Sequence, residues 1–247
     1  MINIAISLAI SGCLFLLLFG TRLLGAYEAL VPCVIAAVIA YIFLARRIFR
    51  KLEAVFVQSA QVLQTVPPKF DVAIATMERA YTLVPWQIGI RSQIDTQIGI
   101  VYFLQREFSR ALPYLQRSLM FGHWMGGAML GVVYYKKKNF AEMHKTFQVV
   151  CKRAKKQSLP WSLYAYLRLQ TGDRTGALRV LNDGLKACGP DERLKENLLA
   201  VQNDKKMKMR GYKEQWYQFH LERPPAQYQQ QNGPPQRVGR AARRGRW

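Results

Sequence analysis

Residues 92–119 read SQIDTQIGIVYFLQREFSRALPYLQRSL. In this stretch Ile98-Gly99-x-x-Tyr102 is followed by Phe108-x-x-Ala111-x-x-x-Leu115-x-x-Ser118. Large apolar residues recur at helical spacing, and a small residue stands where each helix must approach the other. The stretch therefore predicts two antiparallel helices, broken at Arg106-Glu107.

The pattern repeats outward from there. Its second half recurs as Phe70, Ala73, Met77 and Ala80 closed by Pro85, as Phe140, Met143, Phe147 and Val150, and as Arg174, Ala177, Leu181 and Gly184. Its first half recurs as Leu130-Gly131-x-x-Tyr134 and Tyr164-Ala165-x-x-Arg168. Met77, Leu115, Phe147 and Leu181 are 38, 32 and 34 residues apart. A generic helical bundle would not hold four units in such register. From Ala54 to Asp191 the chain resembles the tetratricopeptide repeat (TPR) family, with its Trp-x-x-Leu-Gly-x-x-Tyr, Ala-x-x-x-Phe and Pro signature and 34-residue period. The second and third units match well. The fourth keeps Trp161 and Ala177 but has Arg168 in the Tyr place, Met143 departs from the small-residue rule, and the first unit has a weak first helix.

The resemblance implies a curved stack whose inner lining lies on the first helix of each repeat. Those positions are Gln93, Thr96, Ile100 and Phe103, then Met125, Ala128, Val132 and Tyr135, then Leu159, Ser162, Tyr166 and Leu169. None is Lys, Arg or Asn, the residues with which some family members grip a terminal carboxylate. An apolar, aromatic lining instead suits an amphipathic helix or an aromatic peptide; the competing expectation is that these side chains are inter-repeat core. The chain carries a candidate ligand of its own in 212–221, YKEQWYQFHL, where Trp216, Tyr217 and Phe219 would bury much aromatic area by folding back.

Ahead of the repeats lie two apolar runs. Residues 2–20 carry no charge, and a second run over 23–45 is broken only by Glu28. The uncharged part, 29–45, would rise about 26 Å as a helix. A signal peptide would show a basic start and no second run, and a helix apolar all round is seldom soluble. Residues 1–45 are thus expected to form a two-span transmembrane hairpin. Arg46, Arg47, Arg50 and Lys51 follow at once, which the positive-inside rule places in the cytoplasm, most simply at a bacterial inner membrane, against anionic lipid. Glu28 is expected to snorkel to the far interface. Residues 46–66 lack Pro and Gly until Pro67-Pro68, so the second span is expected to run on as a juxtamembrane helix into the first repeat.

Residues 67–207 are read as the repeat solenoid, with 191–207 as its polar capping helix. Residues 208–247 are read as the aromatic segment and a flexible basic tail ending RVGRAARRGRW. The fold class expected is all-α: hairpin anchor, α-solenoid of about four helical pairs, cap and tail. The 36 basic residues against 15 acidic give a formal charge of +21, which favours anionic partners. Four cysteines make no C-x-x-C pair, so neither disulfide frame nor zinc site is expected. His123, His144 and His220 form no metal array, and no nucleotide or nucleophile motif appears, so neither enzyme nor cofactor is expected. The function expected is a membrane-anchored scaffold for a protein partner or peptide. Two alternatives stay open: a membrane-tethered nucleic-acid or ribosome adaptor using the basic faces, and a regulatory subunit acting within the bilayer.

Overall fold

The computed structural model describes residues 1–21 and 25–225, whose regular structure is all helical, with no strand among them. They fall into two compact units, Met1–Pro160 and the part beginning at Trp161. The basic tip of the chain lies outside the described residues.

In the first unit α1 (Ile2–Gly20) packs along α2 (Ala26–Leu63). Both are long and apolar enough to cross a membrane, and many of their large side chains are exposed, Leu16 at 69% and Phe43 at 64%. Ser11 Oγ donates to the Cys33 carbonyl across the pair at 2.9 Å. At the far end Glu28 accepts from the Gly25 N–H at 3.2 Å, an acid in the first turn where the helix dipole favours it.

α2 continues unbroken for 38 residues, about 57 Å. Its second half turns Ile48 and Leu52 into one core with Ile74, Met77, Ile90, Ile94 and Ile98. It packs against α3 (Phe70–Arg79), which passes into a 3₁₀ segment, Ala80–Trp86. Then come two antiparallel pairs: α4 (Ile90–Leu104) on α5 (Phe108–Ser118), and α6 (Trp124–Lys136) on α7 (Phe140–Arg153).

α8 (Ser158–Gln170) begins in the first unit and continues in the second, where α9 (Arg174–Cys188) and α10 (Glu192–Gln202) follow, then a 3₁₀ turn Met209–Tyr212 and α11 (Glu214–Tyr217). α10 is shorter than the capping helix expected over 191–207. Two carbonyls at its end, those of Val201 and Gln202, accept from Arg174, whose guanidinium also meets the Asp204 carboxylate at 2.9 Å.

One turn recurs through both units. Arg106, Lys138, Gly172 and Asp204 all take left-handed backbone, with φ of 64°, 57°, 84° and 53°. They are 32, 34 and 32 residues apart. In each, the N–H of the left-handed residue and the next N–H reach back to the preceding helix, as Arg106 to the Phe103 carbonyl and Glu107 to that of Tyr102, both at 2.9 Å. At two of the four the next residue also caps the following helix, Asn139 accepting from Glu142 N–H and Asp173 from Gly176 N–H.

Seven residues before each turn stands the small residue that lets the partner helix close in: Gly99, Gly131 and Ala165. A Cβ on Gly99 would lie 2.7 Å from Leu115 Cδ2, and one on Gly131 would run into the Phe147 ring. Phe147 is fully buried and has nowhere to move. Gly131→Ala gains about 1 kcal/mol of helix propensity, but overpacking of this kind costs about 1–3 kcal/mol, and the ring atoms are close enough to put it at the upper end. We expect a net loss of about 1–2 kcal/mol, read as a lowered Tm. Since Ala165 with Leu181 occupies the same register, Gly131→Ala with Phe147→Leu should recover most of it; a single variant as stable as the parent would refute the close packing.

Candidate protein-binding surface

The family-implied lining separates into two groups. Gln93, Ile100, Met125, Tyr135, Tyr166 and Leu169 are half-buried. Thr96, Phe103, Ala128, Val132, Leu159 and Ser162 are buried in the free chain. Phe103 shows why: it lies at the end of α4, where the left-handed turn folds Phe108 over it, ring centroids 5.2 Å apart and edge-on. Thr96 returns its hydroxyl proton to the Ser92 carbonyl at 2.7 Å. In this helix register the fifth position is buried in all three units, and the second, ninth and twelfth are each buried in one unit and half-buried in the other two.

In the first unit a cavity of about 420 Å³ is lined by Phe56, Gln93, Thr96, Gln97, Phe121, Gly122 and His123. It is built from α2, α4 and the turn before α6. Gly122 makes that turn possible, since a Cβ there would collide with Thr96 Oγ1 and the Ser118 carbonyl. His123 caps α6, its Nδ1 accepting from Met125 N–H at 3.2 Å. Burial and then the nearby Arg153 hold its imidazole below the ordinary pKa, so Nδ1 stays open to accept at neutral pH. The cavity is thus amphipathic: two aromatic walls, and amide and imidazole groups to orient a ligand. Phe56, Gln97, Phe121 and His123 were absent from the sequence expectation; the signal for Phe121 and His123 was a bulky aromatic directly before a glycine at a helix-to-helix turn, and Phe56 and Gln97 carried none.

Beside the cavity, the position of α4 is fixed by Asp95, whose buried carboxylate accepts from Tyr81 OH at 2.6 Å and from Arg117 at 3.1 and 3.2 Å. The Arg117 guanidinium also lies 4.7 Å over the Tyr114 ring.

In the second unit the equivalent surface is occupied by the chain itself. Asn197, in the register of Gly99 and Gly131, is fully buried and accepts from Lys208 N–H through Oδ1 at 2.7 Å, drawing the chain back after the Asp204 turn. Tyr212 OH and Ser162 Oγ share a hydrogen bond at 2.8 Å, and Arg193 covers the Tyr212 ring at 5.2 Å. Trp216 meets Tyr166 edge-on at 4.9 Å and Phe219 at 6.5 Å, and its Nε1–H donates to Glu222 at 3.1 Å. Trp216 and Phe219 are fully buried and Tyr217 nearly so.

Arg46, Arg47, Arg50 and Lys51 are all exposed on α2, turned away from its buried stripe of Ala45, Ile48 and Leu52. No protein-family model matches this chain, and no curated protein matches it.

Proposed function

We propose that the chain is a membrane-anchored, non-catalytic scaffold whose helical pairs are tetratricopeptide-type repeats, holding a protein partner by an aromatic or amphipathic segment. The recurring left-handed turn and the Gly or Ala seven residues before it support the repeat assignment. The two exposed apolar helices support the anchor, α1 and α2 through residue 45 forming the hairpin. The basic run from Arg46 to Lys51 then puts the repeats on the cytoplasmic side, as in a bacterial inner membrane, with those four residues against anionic headgroups.

One observation carries the binding role: the aromatic segment seated on Ser162 and Tyr166. It supports the view that the first-helix surface of a repeat accepts aromatic side chains with a hydroxyl or amide to fix their register. Gln93, Thr96 and Ile100 offer the same register in the first unit, beside an open cavity. The partner expected there presents one or two aromatic residues on a short segment.

A photo-crosslinking residue at Gln97, in native membranes, tests this. The expected result is a protein adduct that weakens about tenfold when Ile100→Ala and Tyr135→Ala are combined, as loss of an interface hot spot produces. Adducts to lipid alone, or a protein adduct indifferent to that pair, would overturn the binding role.

A further inference from the structure

From the contacts of the first unit we infer that the edge carrying Ile88, Met120 and Phe121 dips into the anionic membrane surface, so that the unit lies on the bilayer by this edge and is not held above it on a stalk. The inference rests on the membrane-anchored reading. It concerns residues other than the basic run on α2.

A chain of contacts defines the edge. The Met1 amine donates to the Pro85 carbonyl, Asn3 Nδ2 donates to Gln87 Oε1 at 3.0 Å, and Gln87 Nε2 donates to Tyr41 OH at 2.7 Å. Both apolar helices are therefore tied to the loop at 85–87. Gly89 follows, and a Cβ on it would lie 3.9 Å from that of Phe121. Arg153 at the end of α7 then donates to the carbonyls of Leu119 and Gly122. So the 85–89 loop, the 119–123 turn and the end of α7 share the edge at which α1 begins.

Length decides the level of this edge. A hydrocarbon core of about 30 Å needs about 20 helical residues, and α1 supplies 19 starting at Ile2. No spacer separates α1 from the edge. If α1 spans, Met1 and Asn3 lie at the interface, and the loop bonded to them lies there too.

The side chains on the edge fit that environment. Ile88 is 47% exposed, Met120 71% and Phe121 59%, apolar area that water would not favour. Arg91, Lys152 and Lys156 are exposed around them. Residues 84–94, 116–126 and 150–160 contain no Asp or Glu. The opposite edge has Asp71, Glu107 and Glu142 among its basic residues, and among the described residues it makes no hydrogen bond to α1. Apolar tips within a purely basic rim match a phospholipid surface, where each Lys or Arg adds to the attraction.

The test uses the full chain in phosphatidylcholine–phosphatidylglycerol vesicles, with Cys13 and Cys188 replaced by Ala. A fluorophore on Phe121→Cys is compared with one on Lys137→Cys at the opposite turn and one on Leu8→Cys within α1, using nitroxide-bearing lipid as quencher. Quenching several-fold stronger at 121 than at 137 supports the inference. Each charge removed by Lys152→Gln or Lys156→Gln should then lower the docked-to-undocked ratio about fivefold. Strong quenching at 8 with equal, weak quenching at 121 and 137 would overturn the docking while leaving the anchor intact. Weak quenching at all three would overturn the anchor itself, and the docking with it.

Discussion

Trp216→Ala should lower the stability of the second unit by about 3–5 kcal/mol, the usual cost of emptying a buried Trp site. The indole is fully buried, so nothing on the surface can close over the void. Its removal also takes away the edge-on contact to Tyr166 and leaves Glu222 without the indole N–H. Phe219 loses its ring neighbour at the same time. Ending the chain after Gly211 should cost more, because Tyr212, Tyr217 and Phe219 go as well and Ser162 loses the Tyr212 hydroxyl. The measurement is thermal unfolding by circular dichroism in detergent, paired with limited proteolysis. New cleavage should appear after residue 160 and leave the α4–α7 region protected. A truncated chain with an unchanged Tm and an unchanged cleavage pattern would mean that the aromatic segment is not part of that core.

That segment also marks where sequence patterning stopped being informative. The helical pairs were readable because a glycine facing a large apolar residue is a signal internal to one pair: Gly99 with Leu115, Gly131 with Phe147. The apolar runs of α1 and α2 were readable from hydropathy alone. The fourth turn was not, because Asn197 stands where the earlier pairs have Gly or Ala and no apolar helix pattern follows it. Its side chain does a different job, binding Lys208 N–H to bring the chain back. The repeat pattern through Ala80 was read as closed by Pro85, and residues 80–86 make that close as a 3₁₀ segment, the geometry that brings Tyr81 to Asp95 and Pro85 to Met1. The division of the lining into buried and half-buried side chains was equally hidden. Phe103 and Ile100 are alike in type, yet Phe103 is buried with Phe108 edge-on against it and Ile100 is half-buried.

Asp95→Ala is the second large effect, and it bears on the candidate cavity through α4. The Asp95 side chain is 1% exposed and has partners 14 and 22 residues away, Tyr81 and Arg117. Breaking a buried ion pair from one side costs about 3–5 kcal/mol, but the Arg117 side chain is 45% exposed and water recovers part of its solvation. We expect about 2–3 kcal/mol, with Asp95→Asn falling between, since the amide oxygen can still accept from Tyr81. Asp95→Ala with Arg117→Met should restore part of the loss, because no charge is then left facing an empty site. Tyr81 offers a second readout. Burial first, then the hydrogen bond and charge of Asp95, raise its phenol well above the ordinary value of 10.0. Its stabilising contribution is therefore complete below pH 10 and is lost as pH climbs through the raised value. In Asp95→Ala two of those causes disappear, so ultraviolet titration should show one tyrosine ionising at lower pH than in the parent, alongside the fall in Tm. A variant that melts lower while its tyrosine titration stays unchanged would place the loss in packing and remove Asp95 from the set of residues that hold α4 through charge.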